Sequence, residues 1–236
     1  MPNAILASRR GVFAALACGC AAAAGLGRGS AFAASPAAST SVSADEALSR
    51  LKSGNAAFVG GESCTPAGGH GHIAPLAAGQ APFAVVVGCS DSRTPPEHLF
   101  DGKLGELFIV RVAGNTVDHT ALGSIEYGVA VLGAPLVLVL GHSGCGAVEA
   151  ATKVVTKGAT YPGSIGQMVE PIVPAVRKAQ GMKGDLMANA VRTNVELVLE
   201  QIAAASPLVA QARDAGKVRL AGAVYDLASG KVAFLD

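Results

Sequence analysis

Three stretches in the middle of the chain are apolar at nearly every position: residues 83–88, 107–112 and 136–140. A strand with one wet face alternates polar and apolar side chains, whereas a strand covered on both faces does not, so these runs predict a buried, parallel sheet. Between and after them the apolar spacing lengthens to a helical period, at about 120–132, 145–157, 163–180, 186–205 and 207–215. Strands alternating with helices predict an α/β fold: a single domain with a central, mostly parallel β-sheet flanked by helices. The chain closes with residues 218–225, the turn Ser229-Gly230 and residues 232–235, which together predict a C-terminal hairpin. Near the other end, Ser43 and Glu46 stand three apart ahead of Leu48, Leu51 and Phe58, the pattern of a capped N-terminal helix that Gly60-Gly61 ends. Residues 62–80, rich in Gly, Pro and His, predict a loop.

The first 33 residues follow another logic. Ser8-Arg9-Arg10 precedes an apolar stretch over 11–26 and the small-residue site Ala31-Phe32-Ala33, the layout of a twin-arginine export signal. That stretch is shorter than the ~20 residues of a spanning helix, so no membrane association is expected once the signal is removed. Residues 34–43 read as a linker and 44–236 as the folded domain, in a periplasmic or secreted protein. Removing Arg9, Arg10 and Arg28 leaves 15 basic against 17 acidic residues, a net charge of −2 that gives no footing for nucleic acid. Of five cysteines, Cys18 and Cys20 leave with the signal, and the remaining Cys64, Cys89 and Cys145 are too few for a disulfide framework.

The candidate chemistry sits where two of the apolar runs end. Cys89-Ser90-Asp91-Ser92-Arg93 follows the first run and His142-Ser143-Gly144-Cys145 follows the third. Ligands of open α/β sheets gather outside the carboxyl ends of parallel strands, so two adjacent strand ends would bring Cys89, Asp91, His142 and Cys145 around one point. Thiolate, imidazole and carboxylate are the ligand types of zinc. The spacing of His142 and Cys145 predicts that both stand at the start of one helix.

In these two motifs the chain resembles the β-class carbonic anhydrases. The resemblance extends through Pro95-Pro96-Glu97, Arg111-Val112-Ala113-Gly114-Asn115, Ile125-Glu126-Tyr127 and Gly222-Ala223-Val224-Tyr225-Asp226, covering roughly residues 45–236. It implies a zinc enzyme that interconverts CO2 and bicarbonate by means of a zinc-bound hydroxide and forms homodimers or larger homo-oligomers. By position, Cys89, His142 and Cys145 become the permanent zinc ligands. Asp91 either adds a fourth ligand or pairs with Arg93 and leaves that place to water. The resemblance further assigns Gln80, Phe108, Tyr127 and the Gly146 backbone amide to the substrate pocket. Three other readings use the same residues: a non-catalytic zinc protein closed by Asp91, a hydrolase of CS2 or COS, and a thiol redox protein built on Cys89 and Cys145.

Overall fold

The computed structural model describes residues 40–62 and 73–235. The export signal, most of the linker, Cys64 and the His70/His72 loop lie outside the described residues. Among the described residues five strands form one sheet: β1 (Ala84–Gly88), β2 (Leu107–Arg111), β3 (Leu136–His142), β4 (Arg219–Tyr225) and β5 (Val232–Leu235), in the order β2-β1-β3-β4-β5. The first four run parallel, and β5 folds back antiparallel on β4 as the expected hairpin. Every residue of β1 and β3 is buried, which is why both read as unbroken apolar runs, while edge strand β2 is only half covered.

Alternate side chains of these strands feed two separate cores. Val85, Val87, Val137 and Val139 pack with Ile125, Val195, Val198, Ile202 and Val209, from helices α3 (His119–Glu126), α7 (Leu186–Ala205) and α8 (Pro207–Asp214). On the opposite face Ala84, Val86, Leu136, Leu138 and Leu140 meet Leu48 and Leu51 of α1 (Ala44–Gly60) and Leu99 of the short α2 (Pro96–Leu99). Burying each such Val or Leu contributes about 1.5–3 kcal/mol, so the sheet is held rigidly from both sides. Helix α1 starts as its sequence predicts, with the Ser43 hydroxyl accepting the Glu46 N–H. A third cluster lies beyond the carboxyl ends of the strands, where α4 (Gly146–Lys157), α5 (Ser164–Val169) and α6 (Val173–Ala179) pack around Cys89 and Cys145.

Several local expectations need correction. The single helix expected over 163–180 is three pieces, α5, a 3-10 turn Glu170–Ile172, and α6. Pro171 and Pro174 stand at the starts of the second and third pieces, where a missing N–H is tolerated and a continuous helix is not. The third strand runs two residues further than its apolar run, because Gly141 and His142 continue the ladder opposite Val224 and Tyr225. The segment expected as loop over 62–80 contains a 3-10 helix, Ala74–Ala78, and α2 was not expected at all. Helix α3 ends in a π turn, Tyr127–Val131, at whose Gly128 an added Cβ would lie 2.5 Å from Val85 Cγ2.

Candidate metal centre

Strands β1 and β3 are neighbours and parallel, so their carboxyl ends open side by side. Cys89 is the first residue beyond β1, and His142 is the last residue of β3, in the strand rather than at the helix start. Ser143 and Gly144 then turn the chain, Gly144 at a φ of 63° that suits glycine, and Cys145 caps α4. The turn brings three ligand atoms, one each from Cys89, His142 and Cys145, within 4.8 Å of one another. All three residues are buried, at 5%, 1% and 1% exposure, and both cysteines are free thiols.

The imidazole is already committed on one side. His142 Nδ1 lies 2.9 Å from the Ser143 carbonyl oxygen, which can only accept, so Nδ1 carries the proton and Nε2 presents its lone pair. Nε2 is buried and, among the described residues, has no hydrogen-bond partner. An unsatisfied buried polar atom costs about 1–3 kcal/mol, and a cation between the ring and the two sulfurs removes that cost. Two thiols and one imidazole form the borderline-soft donor set that suits zinc.

The thiols bear this out electrostatically. Cys89 is pulled down to about 4, first by its hydrogen bond with Cys145, against burial, and then by His142 and the Asp91 and Gly114 N–H groups. Those amides lie 3.4 and 3.2 Å from its sulfur. Cys145 is pushed up by the same Cys89 contact and by burial, while the Val148 and Ala147 N–H groups work the other way. One thiolate therefore forms easily and the second is suppressed by the first, a conflict that a divalent cation between them resolves. Burial disfavours protonated His142, but the nearby Cys89 sulfur and the bond to the Ser143 carbonyl outweigh it and raise its pKa.

Asp91 stands beside this cluster and faces Arg93. The Arg93 guanidinium donates from Nε to Oδ1 at 2.9 Å and from Nη2 to Oδ2 at 2.7 Å, and the Arg93 backbone N–H adds a third bond to Oδ1. These bonds hold the Asp91 carboxyl well below the usual carboxylate range. Its Oδ2 is 4.0 Å from His142 Nε2. Arg111, at the end of β2, donates to the carbonyls of Cys89 and Asp91 and pins the loop that carries both.

The remaining predicted pocket residues are spread more widely. Gly146 opens α4 directly after Cys145 and is exposed. Phe108 and Tyr127 form a tilted ring pair with centroids 6.1 Å apart, Tyr127 being 46% exposed. Phe108 is opposite Val85, three residues before the strand end, or about 10 Å of strand from the metal-ligating level. Gln80 is exposed on the segment leading into the amino end of β1, whereas Cys89 leaves the carboxyl end. Five strand residues, roughly 17 Å, separate those two ends.

The sequence profile of the carbonic anhydrase family matches residues 84–232. A carbonic anhydrase of Mycolicibacterium smegmatis is 41% identical over 185 residues, which cover 77% of this chain and 88% of that one. Carbonic anhydrase 2 of Mycobacterium tuberculosis is 38% identical, covering 79% and 90%. One of the solved tetrameric β-carbonic anhydrases of Sordaria macrospora superposes with a TM-score of 0.63 at 25% identity, covering 78% of this chain and 93% of that one. A Coccomyxa β-carbonic anhydrase solved with acetazolamide gives a TM-score of 0.61 at 30% identity, over 70% and 76%.

This chain belongs to the β-class carbonic anhydrases. It is a zinc-dependent enzyme of reversible CO2 hydration, and among the described residues Cys89, His142 and Cys145 are the group that fits the metal. Two contributors to this carbonic anhydrase site escaped sequence reasoning. Gly114, known only as part of a family-like segment, donates its N–H to Cys89. Asn194, buried on α7, donates from Nδ2 to the Gly114 carbonyl at 2.8 Å and fixes that turn. Its signal was legible: an amide on the stripe Val191, Asn194, Val195, Val198, Ile202 of an otherwise apolar helix face.

Proposed function

We propose that CO2 hydration proceeds here with three protein ligands on zinc, Cys89, His142 and Cys145, and with Asp91 held on Arg93. The observation that carries this reading is the two-pronged Arg93 grip on the Asp91 carboxylate beside the buried, unpartnered His142 Nε2. When bound, zinc supplies Lewis-acid activation of water for attack on CO2. Asp91, kept ionised by Arg93, accepts a hydrogen bond from the attacking water at Oδ2 and turns its lone pair toward the carbon. The Gly146 N–H, at the positive end of α4, offers a donor to the anionic product. Because the two thiolates offset the metal's charge, activity rises from neutral toward alkaline pH.

Phe108 and Tyr127 line the approach of CO2 in this reading, and Gln80 hydrogen-bonds the substrate. Gln80 stands beyond the far end of β1 from Cys89, so the pocket is completed by a second copy of the chain in a homodimer, alone or within a larger homo-oligomer. The tetrameric Sordaria relatives support such an assembly. The twin-arginine motif supports export of the folded chain to the periplasm or beyond, with residues 1–33 removed.

Stopped-flow CO2 hydration on zinc-quantified protein lacking residues 1–33, from about pH 6.5 to about pH 9, tests the central claim. A rate rising with pH is expected. One zinc per chain with no hydration at any pH overturns it and leaves the site as a closed metal centre or one for another linear substrate.

A further inference from the structure

The Ser143 peptide, which receives the proton of His142 Nδ1, is itself held from three directions. Its N–H donates to the Tyr225 carbonyl at 2.9 Å, at the end of the β3–β4 ladder. Its hydroxyl donates to Asp226 Oδ1 at 3.1 Å and accepts the Leu227 N–H at 2.9 Å. Asp226 is anchored in turn: Oδ2 accepts the Ser229 hydroxyl at 2.6 Å and the Ser229 N–H at 3.0 Å, within the turn that joins β4 to β5. A carboxylate, a hydroxyl, a peptide carbonyl and the imidazole thus form one directional chain, more than eighty residues apart in sequence at the Ser143–Asp226 link.

We propose that Asp226 is a positioning residue of the metal centre, acting through Ser143 to fix the ring plane and tautomer of His142. Ligating histidines depend on the group bonded to their second nitrogen, and loss of such support typically weakens metal binding about 10–100-fold. Here the supporting carbonyl is not free to follow the ring, because the hydroxyl of the same residue is tied to the β4–β5 turn. Among the described residues the hydrogen bonds of the Asp226 carboxylate go to Ser143 and Ser229 and to none of the metal ligands, so its effect on them passes through Ser143. The proposal rests on the zinc-site reading above.

The test is zinc affinity, by competition with a chromophoric chelator, together with the visible spectrum of the cobalt-substituted protein, on the full oligomer. Asp226→Ala and Ser143→Ala are expected to weaken zinc about 10–100-fold and to alter the cobalt bands. Asp226→Asn, which keeps an acceptor for the Ser143 hydroxyl, recovers most of the loss. Ser229→Ala, which removes a bond from Asp226 on the side away from the metal, stays within about threefold of the parent. Parental affinity and cobalt bands in Asp226→Ala and Ser143→Ala overturn the proposal. So does an equal loss in Ser229→Ala, which would mark a general loosening of the turn. If Asp226→Ala does not fold, Ser143→Ala and Asp226→Asn decide. CO2 hydration is measured separately, and a parent that binds zinc without hydrating CO2 defeats the activity reading alone.

Discussion

Replacing Gly114 by Ala tests how the metal centre is braced from behind. Gly114 has a φ of 70°, and an ideal Cβ there would lie 2.5 Å from Ile172 Cδ1 and 3.0 Å from Ala147 Cβ. Ile172 is fully buried and Ala147 has no rotamer to change, so the turn itself must move. The left-handed backbone costs an alanine about 1–2 kcal/mol, and overpacking adds about 1–3 kcal/mol, giving about 2–5 kcal/mol in all. For a domain of this size each kcal/mol lowers Tm by about 2–4 °C, so a fall of about 4–20 °C is expected. Two controls divide the terms. Gly158 shares the conformation, with a φ of 62°, but has nothing within 4 Å, so Gly158→Ala shows the strain alone. Gly123, inside α3 and equally unobstructed, is expected to tolerate alanine or gain up to about 1 kcal/mol. Thermal unfolding of the three metal-free variants by circular dichroism makes the comparison, with zinc competition on the folded ones. Displacing the turn withdraws an N–H from Cys89, so Gly114→Ala also binds zinc more weakly. A Gly114→Ala protein that melts within about 2 °C of Gly158→Ala, with parental zinc affinity, refutes the steric account.

Two further outcomes follow from the electrostatics. Arg93→Gln removes the grip on Asp91 and leaves its carboxylate 4.0 Å from His142 Nε2, free to swing onto the metal. Its kcat/KM is expected to fall about 10–100-fold while zinc affinity holds or rises, and parallel loss of both would show that Arg93 serves folding instead. In the metal-free protein, thiolate absorbance is expected to reveal one ionised cysteine per chain forming near pH 4, with the second suppressed. Cys89 has its pKa depressed from 9.0 to about 4, so its contribution to stability is complete above the unfolded value and is lost as pH falls through about 4. Cys145→Ala removes the largest cause of that depression, so Cys89 should titrate higher, and an unchanged midpoint would contradict the coupling.

What the sequence disclosed was what local patterning controls. Val85–Val87 and Leu136–Leu140 announced buried parallel strands because both faces of each are covered, and the ligands immediately after them could be placed from strand polarity alone. Pro171 and Pro174 are equally visible in the sequence, yet the helical period of their apolar neighbours runs straight through them, and a missing N–H breaks a helix whatever its amphipathicity. The spacing of His142 to Cys145 implies a helix start because nothing in its neighbours discloses the ladder with Tyr225. Asn194 on Gly114 and Asp226 on Ser143 join positions 80 and 83 residues apart, and no spacing rule covers such pairs. Gln80 illustrates the same gap from the other side: likeness gave it a role, while its distance from Cys89 in a single chain is a property of the fold.

Two of the three ligands, His142 and Cys145, rest on supports of their own, apart from the loop of the Asp91–Arg93 pair. His142 is part of the central strand, and Cys145 begins a helix packed behind it, whereas Asp91 and Arg93 ride on the loop that also carries Cys89, tied down chiefly through its carbonyls. Evolution can therefore redraw the loop, altering which small molecule is presented to the metal, without surrendering the metal itself. A lineage that exchanged one substrate for another would be expected to change side chains between positions 90 and 95 long before it touched the strand ends.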